Sequence, residues 1–91
     1  MMNSFGTDRF WSLYRALPKD VRKLAQKNYM LWRTDPKHPS LHYKTISSNR
    51  PVYSVRLGDN YRVIGLLREG TMYWFWIGSH SEYDPEVRKY R

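Results

Sequence analysis

Two arginines in the middle of the chain, Arg56 and Arg62, flank the turn sequence Gly58-Asp59-Asn60. If those three residues form a hairpin loop, Leu57 pairs with Tyr61, and Arg56 pairs with Arg62 on one face. Like charges directly opposite on a sheet repel. The pairing makes sense around an anion, and phosphate is the obvious one. Two bland alternatives stand beside this: a carboxylate neutralises the pair, or a two-residue turn sends the arginines to opposite faces.

A second group, Ser79-His80-Ser81-Glu82-Tyr83-Asp84, follows the most hydrophobic stretch of the chain. Polar groups held at the end of an apolar strand are well placed for a site. His80 changes charge near neutral pH and is suited to general acid or base work. Glu82 and Tyr83 lie within one helical turn of it and complete the candidate catalytic set with Arg62. The bland alternative is that Ser79 or His80 caps a short helix beginning near Ser81. A third group is His42 and Lys44, on one face of an expected strand, with Lys44 suited to a phosphate. His38, between two prolines, reads as structural or exposed.

Arginines on a sheet with a histidine at its rim suit metal-free phosphodiester transfer. A base or a constrained geometry activates the 2′-hydroxyl, a cation stabilises the phosphorane, and an acid protonates the leaving oxygen. Tyr61, Tyr83 and Trp76 are candidates for stacking bases. Most of the eight tyrosines and four tryptophans are better read as core.

The elements that must position these residues are legible as a change of period. Thr7 or Asp8 caps a first helix with apolar positions at Phe10, Leu13, Tyr14 and Leu17. Pro18 suits the start of a second helix, with Asp20 in its first turn and Val21, Leu24, Ala25, Asn28 and Trp32 along its apolar stripe. Its basic flank reads as a solvated face. Pro36 and Pro39 then break the helix. Strands are expected at Leu41–Ile46, Val52–Leu57, Tyr61–Leu67 and Met72–Gly78, with Gly58-Asp59-Asn60 and Arg68-Glu69-Gly70 as hairpin turns. The last strand is apolar on both faces and should sit centrally. The expected architecture is α+β: two N-terminal helices packed on a three- to four-stranded antiparallel sheet. Residues 1–8 read as a poor strand.

Composition sets the limits. The 91 residues make a single domain, 1–91, with no repeat or linker. No cysteine is present, so neither a disulfide framework nor a thiolate metal site is available. His38, His42 and His80 match no metal-ligand spacing, so no metal and no cofactor are expected. No spanning segment or secretory leader is visible, and a cytoplasmic protein without a membrane partner is the expectation. Sixteen Lys and Arg against eight Asp and Glu give a net charge of +8, which implies an anionic partner, most often nucleic acid. The first 45 residues hold nine basic and three acidic residues, so most of that charge lies in the helical half.

The order of motifs resembles the RelE/ParE superfamily, the toxins of bacterial type II toxin–antitoxin modules. The resemblance runs from about Phe10 to Asp84. It rests on Leu-Pro-x-x-Val at 17–21, Asp-Pro-x-His-Pro-Ser-Leu at 35–41, Tyr-Ser-Val-Arg-Leu-Gly-Asp-Asn-Tyr-Arg-Val-Ile at 53–64, and Trp-Phe-Trp-Ile-Gly-Ser-His-Ser-Glu-Tyr-Asp at 74–84. It implies two helices on an antiparallel sheet. For the RelE-like branch it implies an endoribonuclease that cuts mRNA, commonly on the ribosome. Carried over by position, Arg62 binds the scissile phosphate, His80 is the general acid or base, and Tyr83 stacks a base or orients the substrate. Arg56, Lys44 and His42 are supporting phosphate or rRNA contacts. A cognate antitoxin is implied in either branch. The ParE-like alternative inhibits DNA gyrase by protein contact and needs no His80/Arg62 pair; a non-toxic RNA- or protein-binding relative is a third possibility. Many relatives begin with a clear strand and carry a basic residue where this chain has Pro85, which is expected to alter the C-terminal helix.

Overall fold

The computed structural model describes residues 3–90. Its elements run β1 (Asn3–Gly6), α1 (Asp8–Arg15), α2 (Lys19–Thr34), a 3-10 turn (Pro39–Leu41), β2 (Lys44–Thr45), β3 (Val52–Leu57), β4 (Tyr61–Arg68), β5 (Thr71–Ser79) and α3 (His80–Val87). The strands form a five-stranded sheet in the order β1-β5-β4-β3-β2. The expected α+β class holds.

The strand count differs from the expectation. Asn3–Gly6, read as a poor strand, pairs in parallel with β5 and adds an edge to an otherwise antiparallel sheet. Its four residues alternate between exposed and half-buried, too short and too polar to announce themselves. The strand expected over Leu41–Ile46 is reduced to Lys44–Thr45, because Pro39–Leu41 forms a 3-10 turn. His42 then takes a left-handed backbone (φ 43°), which no strand accommodates.

Both expected helices form. Thr7 caps α1 by accepting from the Phe10 N–H at 3.2 Å, and Pro18 stands just before α2 with Asp20 in the first turn. Their apolar stripes pack Phe10, Leu24, Ala25 and Trp32 onto Val55, Leu57, Val63, Met72, Trp74 and Ile77. Tyr43 stacks on Tyr53 at 4.9 Å, and burial, helped by Tyr53, pushes its hydroxyl up to about 12. Tyr43 is therefore a neutral core residue. The opposite sheet face, left open in the sequence reading, is covered by α3: Val52, Ile64, Trp76 and Val87 are buried together there, with Phe75 and Tyr90 against them.

β5 lies between β1 and β4 and is covered on both faces, as its composition requires. A register shift opposite Ile64 and Gly65 sets Ile64 against Trp76 and Gly65 against Trp74, with Phe75 unopposed. This bulge lets Trp74 and Ile77 face α1 and α2 while Trp76 faces α3. Among the described residues no helix is long and apolar enough to cross a membrane.

Candidate active site

The β3–β4 hairpin closes through the three residues Gly58-Asp59-Asn60, with Gly58 at φ +62° supplying the left-handed turn. Leu57 pairs with Tyr61, and Arg56 pairs with Arg62. Alternation then places Ser54, Arg56 and Arg62 on the face of Val52 and Ile64, which is the face α3 covers. The register of β4 on β5 sets Arg62 beside Gly78 and Tyr61 beside Ser79. The first residue of α3 is tied to the same loop, because the His80 N–H donates to the Asn60 carbonyl at 2.6 Å. Hairpin and helix N-terminus are thus held together by the backbone.

The side chains that result line one small polar cavity of about 190 Å³: His42, Lys44, Ser54, Arg56, Arg62, His80 and Tyr83. Six of the seven candidate site residues are brought together. Glu82 is not among them. Its carboxylate accepts from the Ser79 hydroxyl at 2.7 Å and the Ser79 N–H at 3.3 Å, which makes it the cap of α3. Ser79 thus caps α3, one of the two caps weighed from sequence, Glu82 closes the capping box instead of joining the candidate catalytic set, and His80 and Tyr83 line the cavity. His38 stays outside, bonded through Nδ1 to the Ser40 hydroxyl at 2.8 Å.

The two arginines differ in their surroundings. Arg56 donates from Nε to the Gly58 carbonyl at 2.9 Å and pairs through Nη2 with the Asp59 carboxylate. Its Nη1 lies 3.4 Å from His42 Nε2. Arg62 donates from Nη1, to the carbonyls of Tyr61 at 2.8 Å and of Gly58 and Asp59 at 3.4 Å. Among the described residues no carboxylate pairs with Arg62. The neutralising carboxylate weighed from sequence is thus present for one arginine and absent for the other.

Tyr83 is half-buried, with its ring centroid 6.4 Å from that of Trp76. α3 continues through Pro85 to Val87, so the proline does not remove Tyr83 from the cavity. The far end of α3 is anchored by Glu86, a carboxylate 6% exposed. Arg9 of α1 donates to it from both terminal nitrogens, at 3.1 and 3.2 Å, and Lys89 and Tyr90 add bonds at 3.2 and 3.0 Å. Burial pushes the Glu86 carboxyl up, but the bonds from Arg9, Tyr90 and Lys89 outweigh it and hold the group below its ordinary value. The same bond raises Arg9, and burial with Glu86 raises Tyr90.

Sequence reading missed Ser54, buried in the polar row between Val52 and Arg56, and Asp59 as the partner of Arg56. The period-two placement of Ser54 with Arg56 was a usable signal. The Arg9–Glu86 pair, 77 residues apart, left none.

Residues 19–85 match the ParE-like toxin domain, which is most of the chain. The chain belongs to that toxin family. No curated protein sequence matches it. Among solved structures, the ParE-like chain superposes on a chain of the RelB-RelE antitoxin-toxin complex from Methanococcus jannaschii with a TM-score of 0.71 at 19% identity, covering 89% of this chain and 96% of that one. A mutant of the E. coli toxin RelE in the free state gives 0.72 at 15% identity over 98% and 92%. YafQ from E. coli gives 0.72 at 11% over 91% and 98%. At these identities the likeness is one of fold. The activity of this ParE-like domain is left to be argued from the cavity.

Proposed function

We propose that the chain is the toxin of a toxin–antitoxin module and acts as an endoribonuclease on mRNA, on the ribosome, to inhibit translation in the cytoplasm. The observation that supports this is the convergence of Arg62, His80 and Tyr83 with Lys44 and Arg56 in one polar cavity. A protein that inhibits gyrase by surface contact has no need of that set.

The reaction follows from the groups present. The 2′-oxygen attacks phosphorus and forms the P–O2′ bond. The P–O5′ bond breaks, giving a 2′,3′-cyclic phosphate and a 5′-hydroxyl. Arg62, whose Nε and Nη2 make no hydrogen bond among the described residues, holds the scissile phosphate and stabilises the charge that grows on it. His80 gives its proton to the departing O5′. Tyr83 stacks on a base, against the rigid Trp76. Lys44 contacts a neighbouring phosphate. Glu82 takes no part beyond capping the helix that carries His80. The reaction as drawn uses no metal and no cofactor. The partners are mRNA, the ribosome and a cognate antitoxin, and the RelB-RelE complex among the structural neighbours supports the last.

The test is mRNA cleavage by purified protein, with and without ribosomes, beside His80→Ala. Cuts that require ribosomes and vanish in the variant are expected. No cuts from folded wild-type protein overturn the reading, and a gyrase supercoiling assay then decides for the other branch.

A further inference from the structure

On the face of the sheet that α1 and α2 cover lies a second cavity, of about 400 Å³, walled by Phe10, Trp11, Trp32, Leu57 and Trp74 among others. Most of its polar side chains are engaged with one another or with backbone. Ser4 Oγ meets the Tyr29 hydroxyl at 2.6 Å, Gln26 donates to the Tyr14 hydroxyl at 2.9 Å, and Asn28 donates to the Arg56 carbonyl at 3.2 Å. Trp11 is open to solvent, and the Trp32 N–H interacts with the Tyr43 hydroxyl. Trp74 is the exception. It is 6% exposed, and its Nε1–H is buried with no acceptor among the described residues. A buried donor left unpaired is uncommon and costly.

The direction of that donor follows from Gly65. A Cβ on Gly65 would stand 2.6 Å from Trp74 Cε3 and 3.0 Å from Cζ3, so the benzo edge of the indole lies over β4. The opposite edge, with Nε1, points away from β4, toward β1 and the end of the cavity that Ser4, Phe5 and Gly6 border.

We propose that this cavity binds a small, uncharged, planar aromatic molecule carrying one hydrogen-bond acceptor, which takes the Trp74 Nε1–H. Among the described residues no charged side chain lines the cavity, so a charged ligand would lose hydration and gain no partner. The walls are rings that already meet edge-on, Trp32 with Trp74 at 4.9 Å and Phe10 with Trp11 at 5.1 Å, and a planar ring packs among them in the same manner. One acceptor suffices because one donor is unpaired. The volume is ordinary for a small-molecule site. Nε1 is closed to water, so entry requires a wall to move. The exposed Ser4–Tyr29 bond, which joins β1 to α2, is the contact free to open. This cavity and the polar one share no lining residue, so the proposal stands apart from the endoribonuclease reading.

The probes are quinoline, whose ring nitrogen accepts, and naphthalene, which has the same shape and no acceptor. Binding to the full chain near neutral pH is followed by the indole N–H signals of the four tryptophans in nitrogen-correlated NMR. Quinoline is expected to bind about threefold to tenfold tighter than naphthalene and to move the Trp74 signal downfield, as a hydrogen bond does. In Trp74→Phe the preference should vanish while naphthalene still binds. Ala25→Leu fills the cavity from α2 without touching the donor and should abolish binding of both probes. Thermal melting checks the fold of each variant, and either one alone decides. Equal affinity of the two probes for wild type, or a preference retained in Trp74→Phe, overturns the proposal. So does binding that Ala25→Leu leaves unchanged, which places the probes elsewhere, or no saturable binding at all. A Trp74 signal that moves with protein concentration alone assigns the cavity to a second copy of the chain and overturns it as well.

Discussion

The sheet carries a cavity on each face, and the larger one is the less chemical. Between β1, α1 and α2 lies an apolar space of about 400 Å³, lined by Phe5, Phe10, Trp11, Tyr29, Trp32 and Trp74 among others. Among the described residues no carboxylate, imidazole, ammonium or guanidinium lines it. On the α3 face the cavity has about half that volume, yet two arginines, a lysine and two histidines converge on it. Size reports how loosely elements pack; chemistry requires polar groups that a scaffold forces together. On the α3 face the scaffold and the site divide one surface. Val52, Ile64, Trp76 and Val87 close one end, and Ser54, Arg56 and Arg62 open the other. The same helix serves both ends, packing Val87 and Glu86 at its close and presenting His80 and Tyr83 at its start.

This division is open to attack by substitution. The largest expected effect is on rate: His80→Ala lowers cleavage by about 10²–10⁴-fold with an unchanged Tm, read by single-turnover kinetics and thermal melting. Arg62→Lys should recover only part of what Arg62→Ala loses, because lysine lacks the bidentate fork. At the apolar end the sign reverses. Ile64, 0% exposed, should cost about 2–5 kcal/mol when cut to alanine, measured by urea unfolding, while activity per folded molecule stays near wild type. Equal loss of activity and stability in both variants would break the comparison.

Glu86→Gln comes next, at about 1–3 kcal/mol, since Arg9 loses its carboxylate partner. Glu86 also carries a pH signature. Its folded value is held below the unfolded one, so its stabilisation is full above about pH 4.3 and is lost as pH falls through the folded value. Acid unfolding of Glu86→Gln should therefore be shallower in that window. Smallest is Tyr29→Phe, beside the apolar cavity. It removes the exposed 2.6 Å bond to Ser4 and should change stability by about 0.5 kcal/mol and activity not at all.

Much of the polar end was legible because it is local. Three turn residues fix the register of the hairpin, and the register fixes which side of the sheet both arginines occupy. His80 follows its strand directly, so its place at the rim needed no long-range contact. Glu82 was legible too, as a Ser-x-x-Glu cap, although its nearness to His80 suggested chemistry. What stayed hidden is non-local or sterically specific. β1 exists because β5 offers it an edge. The strand expected from Leu41 is shortened by a 3-10 turn that alternation of apolar residues does not reveal. The cover that α3 provides rests on Arg9 and Glu86, near opposite ends of the chain.

The parallel pairing of β1 with β5 orders events in time. β3, β4 and β5 are joined by tight turns, so their pairing closes short loops and can form early. β1 must wait for Thr71–Trp74, and α1, which follows it through Thr7, brings in Arg9. By loop length this segment is expected to dock late, and its Arg9 steadies the helix bearing His80. Hydrogen exchange should find the amides of β4 slower than those of β1. Brief detachment of β1 and α1 would then loosen α3 while the hairpin stayed folded, so that the opening of one sheet edge governs how long the cavity on the opposite face stays assembled.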